Sequence, residues 1–215
     1  MGRGFFVVIE GIDGAGKTTQ ARLLAEALES RSYRVVLTRE PSDGPTGRIL
    51  RDYLAGPERR LSPSAELDLF MADRREHTAR VIIPALEQGR VVIADRYYHS
   101  SAAYQGALGL DPGAILAAHR NLAPEPDLVV ILTLPPEEAR RRRTQARGEA
   151  RQVSEAPDYL ERVAAHYHSF RGPQLRHLEA SGAAAEVHAR LLHLTLEALA
   201  AAEAGHSQEK KENTP

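Results

Sequence analysis

The stretch that most limits what this chain can fold into is its beginning, Phe5-Phe6-Val7-Val8-Ile9-Glu10-Gly11-Ile12-Asp13-Gly14-Ala15-Gly16-Lys17-Thr18-Thr19. An apolar run with β-branched residues enters Gly-x-x-x-x-Gly-Lys-Thr, and Ala21, Leu23, Leu24, Ala27 and Leu28 then recur at helical spacing. Strand, glycine loop and helix in that order are the context in which the motif makes a phosphate cradle. The glycines Gly11, Gly14 and Gly16 let the backbone aim its N–H groups at phosphate oxygens, backed by the positive end of the helix dipole. Lys17 offers a compact charge to the β- and γ-phosphates, and the Thr18 hydroxyl is a hard oxygen ligand for Mg²⁺. Lysine is otherwise confined to Lys210 and Lys211; every other strong base is arginine. A lysine kept in such a chain suggests a need for an ammonium rather than a planar fork.

The rest of the composition narrows the class. A length of 215 residues suits one α/β domain with a substantial core. Net charge is −1, which argues against a nucleic-acid polymer as main partner. Absence of cysteine removes disulfides, zinc ribbons and thiol catalysis. No apolar stretch approaches the roughly 18 residues of a membrane span, and the N-terminus lacks a secretory pattern, so a cytoplasmic protein is expected. Residues 205–215 are polar and read as a disordered tail after a single domain over 1–204.

Strand and helix candidates alternate, the pattern of a parallel sheet covered on both faces. Strands are expected at 5–10, 34–39, 91–95, 127–134 and, weakly, 184–188. Helices are expected after Gly16, near Gly47, at Ser64, near Ser100, at Pro112, at Pro136, near Ala156 and near Arg190. Ligands of open α/β sheets bind beyond the carboxyl ends of the strands, so Glu10, Arg39-Glu40 and Asp95-Arg96 should converge on the phosphate loop.

Several residues then carry more than one reading. Asp95 ends an apolar strand and either helps to hold Mg²⁺ or caps a helix. Arg39, Arg74 and Arg96 stand at the ends of elements and suit bidentate recognition of a second phosphate. Phe70 and Arg74 share a helix face at i, i+4, where the ring can stack a base and the guanidinium bond its carbonyl; Phe70 as plain core fits the periodicity equally. The run Arg140-Arg141-Arg142-Arg143, continued by Arg147 and Arg151, invites a nucleic-acid reading that the balanced charge makes weakest, beside a solvated face or a lid closing over phosphates.

Taken together these motifs resemble the thymidylate kinase family over about residues 5–200. The resemblance rests on the phosphate loop, on Thr38-Arg39-Glu40-Pro41, on Phe70-Met71-Ala72-Asp73-Arg74 and above all on Asp95-Arg96-Tyr97-Tyr98-His99-Ser100-Ser101-Ala102-Ala103-Tyr104-Gln105-Gly106. Pro126-Asp127-Leu128, Pro135-Pro136-Glu137 and Arg147-Gly148-Glu149 follow in the family's order. The resemblance implies a five-stranded parallel sheet of the P-loop type, flanked by helices, with a short lid at about 141–155. It implies transfer of a phosphoryl group from ATP to dTMP with Mg²⁺, in a homodimer packed through the helical stretch 64–88.

By the same resemblance Gly11, Ile12, Asp13, Gly14, Ala15, Gly16, Lys17, Thr18, Thr19 and Arg143 would hold ATP. Asp13 would meet the deoxyribose 3′-hydroxyl, Arg39 and Arg96 the dTMP phosphate, Phe70 the thymine face and Arg74 its O4. Ser101 and Gln105 would sit at the edge of the base and Tyr104 under the sugar. Lys17, Arg96, Arg147 and Arg151 would act on the transferring phosphoryl group, with Thr18 and Asp95 toward the metal. The chain departs from the family pattern at Ser42-Asp43-Gly44, at Thr133 and at Glu149-Ala150-Arg151.

Overall fold

In the computed structural model, which describes residues 3–56, 60–120, 122–147 and 157–212, the elements alternate as the sequence predicts. For 146, 147, 157 and 206–212 the backbone alone is described. The order is β1 (Phe5–Gly11), α1 (Lys17–Glu29), β2 (Val35–Arg39), α2 (Pro45–Ala55), α3 (Pro63–His77), a π turn (Thr78–Ile82) and α4 (Ile83–Glu87). There follow β3 (Val91–Asp95), α5 (Tyr98–Gly106), α6 (Pro112–Arg120), β4 (Leu128–Thr133), α7 (Pro136–Arg147), α8 (Pro157–Ser169), β5 (Leu175–Glu179) and α9 (Ala184–Glu212).

The strands form one parallel sheet in the order β2-β3-β1-β4-β5. Every residue of β1 and β3 is buried, as expected of strands covered on both faces, whereas the edge strands β2 and β5 are only partly covered. The register sets Ile9 opposite Asp95 and Asp95 opposite Arg39, so three strands end at one level. Because β1 lies between β3 and β4, its carboxyl end is the point where the chain order reverses, the usual place for a ligand crevice.

Helix starts follow local chemistry. Ser62 caps α3 by accepting from the Ala65 amide at 3.2 Å, with Pro63 in the first turn and Arg74, Arg75 and His77 at the negative end of the dipole. The π turn stands directly before Pro84, whose missing N–H removes one helical hydrogen bond and favours a local shift of the ladder.

Two expectations need correction. The fifth strand is Leu175–Glu179, not 184–188, which opens α9. Val187 gives that segment some β character, but the preceding Ala184, Ala185 and Glu186 are good helix formers. The strand itself has no β-branched residue: Leu175 and Leu178 are buried while Arg176, His177 and Glu179 are exposed, as suits an edge. Further on, α9 continues to Glu212, beyond the point where the sequence predicts a disordered tail. Gly205 alone does not end a helix, and Gln208 through Glu212 have favourable helix propensity.

Candidate active site

The phosphate loop is shaped by close approach to its neighbours. Gly14 has φ 92°, and a Cβ there would collide with the Ala139 carbonyl of α7; a Cβ on Gly11 would come within 2.5 Å of the Leu132 carbonyl of β4. No other residue fits either place without displacing backbone. Lys17 is buried, and its ammonium donates to the Ile12 carbonyl at 2.9 Å and lies 4.0 Å from Asp13. Burial pulls its pKa down to about 8, Arg96 adds to the drop, and Asp13, Asp95 and Glu10 resist it. The Thr18 hydroxyl donates to Asp95 Oδ2 at 2.5 Å, while Asp95 Oδ1 is buried with no hydrogen-bond partner among the described residues. A hydroxyl beside a carboxylate with one uncommitted oxygen is a donor set that fits Mg²⁺, which keeps waters and takes its remaining ligands from phosphates.

Across the same cleft Arg96 is held in the left-handed region at φ 76°. Its guanidinium donates to Asp13 and, at 3.0 Å, to Ser100, and stands 5.1 Å from the Tyr104 ring centre. The Asp13 amide donates to the Tyr104 hydroxyl at 3.1 Å. Arg143 of α7 reaches to 4.0 Å from the Asp13 carboxylate, so one acid is surrounded by Lys17, Arg96 and Arg143. Arg39 is more than half exposed and paired with Asp43 at 2.9 Å. The cleft between these groups has a volume of about 980 Å³ and is lined by the loop from Asp13 onward, Arg39, Asp95, Arg96, Arg141, Arg142 and Arg143.

Residues expected to meet the base lie in a second cluster, between α3 and α5. Arg74 is fully buried; its Nε and Nη2 donate to Glu40 Oε2 at 3.0 and 2.6 Å, and its Nη1 donates to Ser101 at 3.2 Å and His119 at 3.1 Å. Burial by itself would raise the Glu40 carboxyl, but Arg74 and His77 outweigh it and hold the pKa below the usual carboxylate range. His119 is pushed down to about 3 by burial and by Arg74, so it is neutral and able to accept. Gln105 donates to Glu66 at 3.0 Å, and its Oε1 is buried with no partner among the described residues. Phe70 is half-buried on α3, one turn before Arg74.

The structure therefore brings Asp13 through Thr19, Arg39, Asp95, Arg96 and Arg143 to one cleft. Gly11 and Ile12 do not line it: the Ile12 side chain faces a separate cavity between β4 and α8, and only its carbonyl serves Lys17. Arg147 ends α7 and its side chain is not described; Arg151 and 148–156 of the expected lid lie outside the described residues. Sequence reasoning missed Arg51 and Glu138 as cleft residues, named Arg141 and Arg142 only within a run read as a face or a lid, and gave no role to Glu40, Glu66 or His119. Arg51 had one signal, three residues after Arg48 on a helix that follows the second strand. For Glu66 and His119 there was none, since their partners are 39 and 45 residues away in sequence.

A parallel P-loop sheet whose nucleotide cradle shares a cleft with one arginine at the end of the second strand and one just after the third defines a phosphotransferase of the nucleoside monophosphate kinase type. Comparison with known sequences agrees and is more specific. The family model described as thymidylate kinase matches residues 9–191. A thymidylate kinase of Desulfotalea psychrophila is 44% identical over 82% of this chain and 87% of its own length. One from Xanthomonas campestris pv. campestris is 48% identical over 86% of this chain and 79% of its own. A probable thymidylate kinase of Pyrococcus horikoshii is 40% identical over 89% and 96%. The chain belongs to the thymidylate kinase family.

Proposed function

We propose that this enzyme transfers the γ-phosphoryl group of ATP to dTMP, giving dTDP and ADP, a step toward dTTP. The observation that carries the reading is a single cleft with the Lys17 cradle on one wall and Arg39 and Arg96 on the other. An acceptor phosphate gripped by two arginines opposite a γ-phosphate is in line for transfer, and orientation of this kind contributes several kcal/mol. The acceptor oxygen is already anionic near neutral pH, so the reaction needs no strong general base. Lys17 and the arginines of α7, Arg143 with Arg147 and Arg151 beyond it, meet the charge on the transferring group. Mg²⁺, when bound, would be held by Thr18 and Asp95 and would neutralise phosphate charge. Closing of a lid over 141–155 excludes water and suppresses ATP hydrolysis.

Base choice has its own support. Thymine carries a donor at N3 and a carbonyl at O4. The unpartnered Gln105 Oε1 suits the donor, and the Ser101 hydroxyl, which accepts from Arg74, keeps its own proton for the carbonyl. Cytosine has an acceptor at N3, which would face another acceptor. Phe70 stacks on the ring, Asp13 meets the 3′-hydroxyl, and Tyr104 fills the space a 2′-hydroxyl needs. The active form is a homodimer in the cytoplasm, packed through the face that runs along α3, the π turn and α4, where Ile83 is exposed. Among the described residues no helix is long and apolar enough to cross a membrane.

The test is ADP release with ATP and Mg²⁺ and one acceptor at a time: none, dTMP, dUMP, dCMP, the ribose form of TMP, and AMP. Strong turnover with dTMP, weaker with dUMP and little with the rest is expected. Release that ignores the acceptor would sink the kinase reading.

A further inference from the structure

Glu10 touches neither phosphate wall, yet it is wholly buried at the end of β1 and four donors converge on it. Its Oε1 accepts from the Tyr97 amide at 2.8 Å and the Ser100 amide at 3.1 Å. Its Oε2 accepts from the Ser100 hydroxyl at 2.6 Å and the Tyr167 hydroxyl at 2.9 Å. Tyr97 is the residue before α5 and its own side chain makes no capping bond. The Tyr97 amide is one that a helix start leaves without an intrahelical partner, and the Ser100 amide is shared between the Tyr97 carbonyl at 3.1 Å and Glu10. A carboxylate from a neighbouring strand thus does the work that a capping box does from within the helix.

What this clamp holds is the backbone on the C-terminal side of Arg96. That residue sits at φ 76°, a conformation that side chains rarely adopt and that persists only where the surroundings enforce it. Its amide donates to the Ile9 carbonyl at 3.0 Å, and the next amide, Tyr97, is taken by Glu10. Consecutive residues of β1 therefore pin consecutive amides around Arg96. The side chain is tied to the same device, since Arg96 Nη1 donates to the Ser100 hydroxyl at 3.0 Å and that hydroxyl donates to Glu10. Tyr167, on α8 and 2% exposed, has its hydroxyl 2.8 Å from Ser100 and closes the group.

We propose that Glu10, braced by Ser100 and Tyr167, is a positioning residue that aims Arg96 at the acceptor phosphate, an inference that rests on the role given to Arg96 above. It acts through Arg96 and touches no substrate. The bland alternative is a buried carboxylate that merely stabilises the sheet and α5, in which case weakening it would affect both substrates alike.

The experiment uses Tyr167→Phe, which keeps the ring that packs against Tyr104 and Phe170 and removes one hydroxyl. Glu10→Gln is the second variant; it keeps an oxygen for the two amides and loses the anion. dTMP and ATP affinities are measured by calorimetry, with KM values from ADP release, in the parent and in an Arg96→Ala background. We expect Tyr167→Phe to weaken dTMP about five- to tenfold, the scale of one buried hydrogen bond, and ATP less than twofold. Glu10→Gln should do the same or more, and neither change should weaken dTMP further once Arg96 is alanine. Equal losses for ATP and dTMP, or an undiminished dTMP loss in the Arg96→Ala background, would overturn the proposal and leave the role of Arg96 standing. Unchanged dTMP affinity in Arg96→Ala alone would remove that role and the proposal with it.

Discussion

On the phosphate wall Arg39 faces an open cleft and its partner is exposed, whereas along the base wall Arg74 is sealed among Glu40, Ser101 and His119 before any ligand arrives. Arg39 shows the first arrangement: it is paired with an aspartate that is itself mostly exposed. Arg74 shows the second, with every N–H direction engaged inside the protein. Among the described residues Gln105 Oε1 on that wall is a buried acceptor without a partner, while the phosphate wall offers donors. Affinity that depends on charge can be supplied by mobile surface arginines, because a phosphate attracts them from any nearby rotamer. Telling one base edge from another needs donors and acceptors at fixed places, and fixing an arginine takes a buried network. The two walls differ because they solve different problems.

The largest effect should come from the cradle. Replacing Lys17 by Ala is expected to lower turnover on the order of a thousandfold, as removal of a charge aimed at the transferring group does. Thermal stability should hold or rise, because Lys17 is a buried cation whose charge is disfavoured by desolvation. A coupled assay beside a melting curve decides it. Lost activity that simply tracks unfolding would mean that the phosphate wall is as structural as the base wall.

Next is Glu40→Gln, which leaves the Arg74 guanidinium buried beside a neutral partner. Breaking such a pair from one side costs about 3–5 kcal/mol, read as a shift of the urea midpoint. The contrast with Lys17 lies in what is lost: stability first, and activity through it.

The contrast also explains what the sequence could reveal. The phosphate wall is local: Gly11 to Thr19 is one continuous motif, and Arg39 and Asp95-Arg96 end strands whose patterns are plain. Sheet order then brings them together without further information, since the register of three strands is enough. Phe70, Arg74, Ser101 and Gln105 are expected at the base through family resemblance alone, and the groups that hold Arg74, Ser101 and Gln105 left no mark in the sequence. Glu40 and Arg74 are 34 residues apart, and Gln105 and Glu66 are 39 apart, on elements whose facing is decided by tertiary packing. The fifth strand was misplaced for a related reason. An edge strand with three of its five residues exposed carries little periodic signal, and an alanine-rich helix start soon after it carries a misleading one.

Acid should act on the base wall before the phosphate wall. His99 and His119 are both buried and both pushed down to about 3, by burial and by Arg74, so the folded protein keeps them neutral. The unfolded chain protonates them near pH 6.5. Below that value the unfolded state binds more protons, so stability falls as pH drops from about 6.5 toward 3. The slope reaches about 1.4 kcal/mol per pH unit for each histidine. Glu10 and Asp73, raised by burial, work in the opposite direction above the usual carboxylate range, so the comparison is made by difference. Urea midpoints at pH 7.5 and 5.5 should converge in His99→Phe relative to the parent. An unchanged gap would show that His99 carries no such linkage.

The smallest expected effect tests the comparison most directly, because Asp43→Asn makes the same chemical change as Glu40→Gln beside the same type of partner. Asp43 bonds Arg39 at 2.9 Å and lies 3.4 Å from Arg51, and both arginines line the cleft. The hydrogen bond from Arg39, against a small opposing effect of burial, keeps the Asp43 carboxyl below its ordinary pKa, so it is fully charged at neutral pH. It is also 74% exposed, and a pair in that setting contributes roughly 0–1 kcal/mol, screened further by salt. The urea midpoint of Asp43→Asn should therefore stay within about 1 kcal/mol of the parent. If the acceptor phosphate is held by Arg39 as proposed, it competes with Asp43 for that guanidinium, so losing the competing anion should tighten dTMP by a few-fold at low salt, with the gain fading as salt rises. A destabilisation as large as that of Glu40→Gln would mean that the two walls are built alike. Unchanged dTMP affinity at low salt would instead mean that the exposed arginines are not drawn to the acceptor phosphate, and that Arg96 holds it alone.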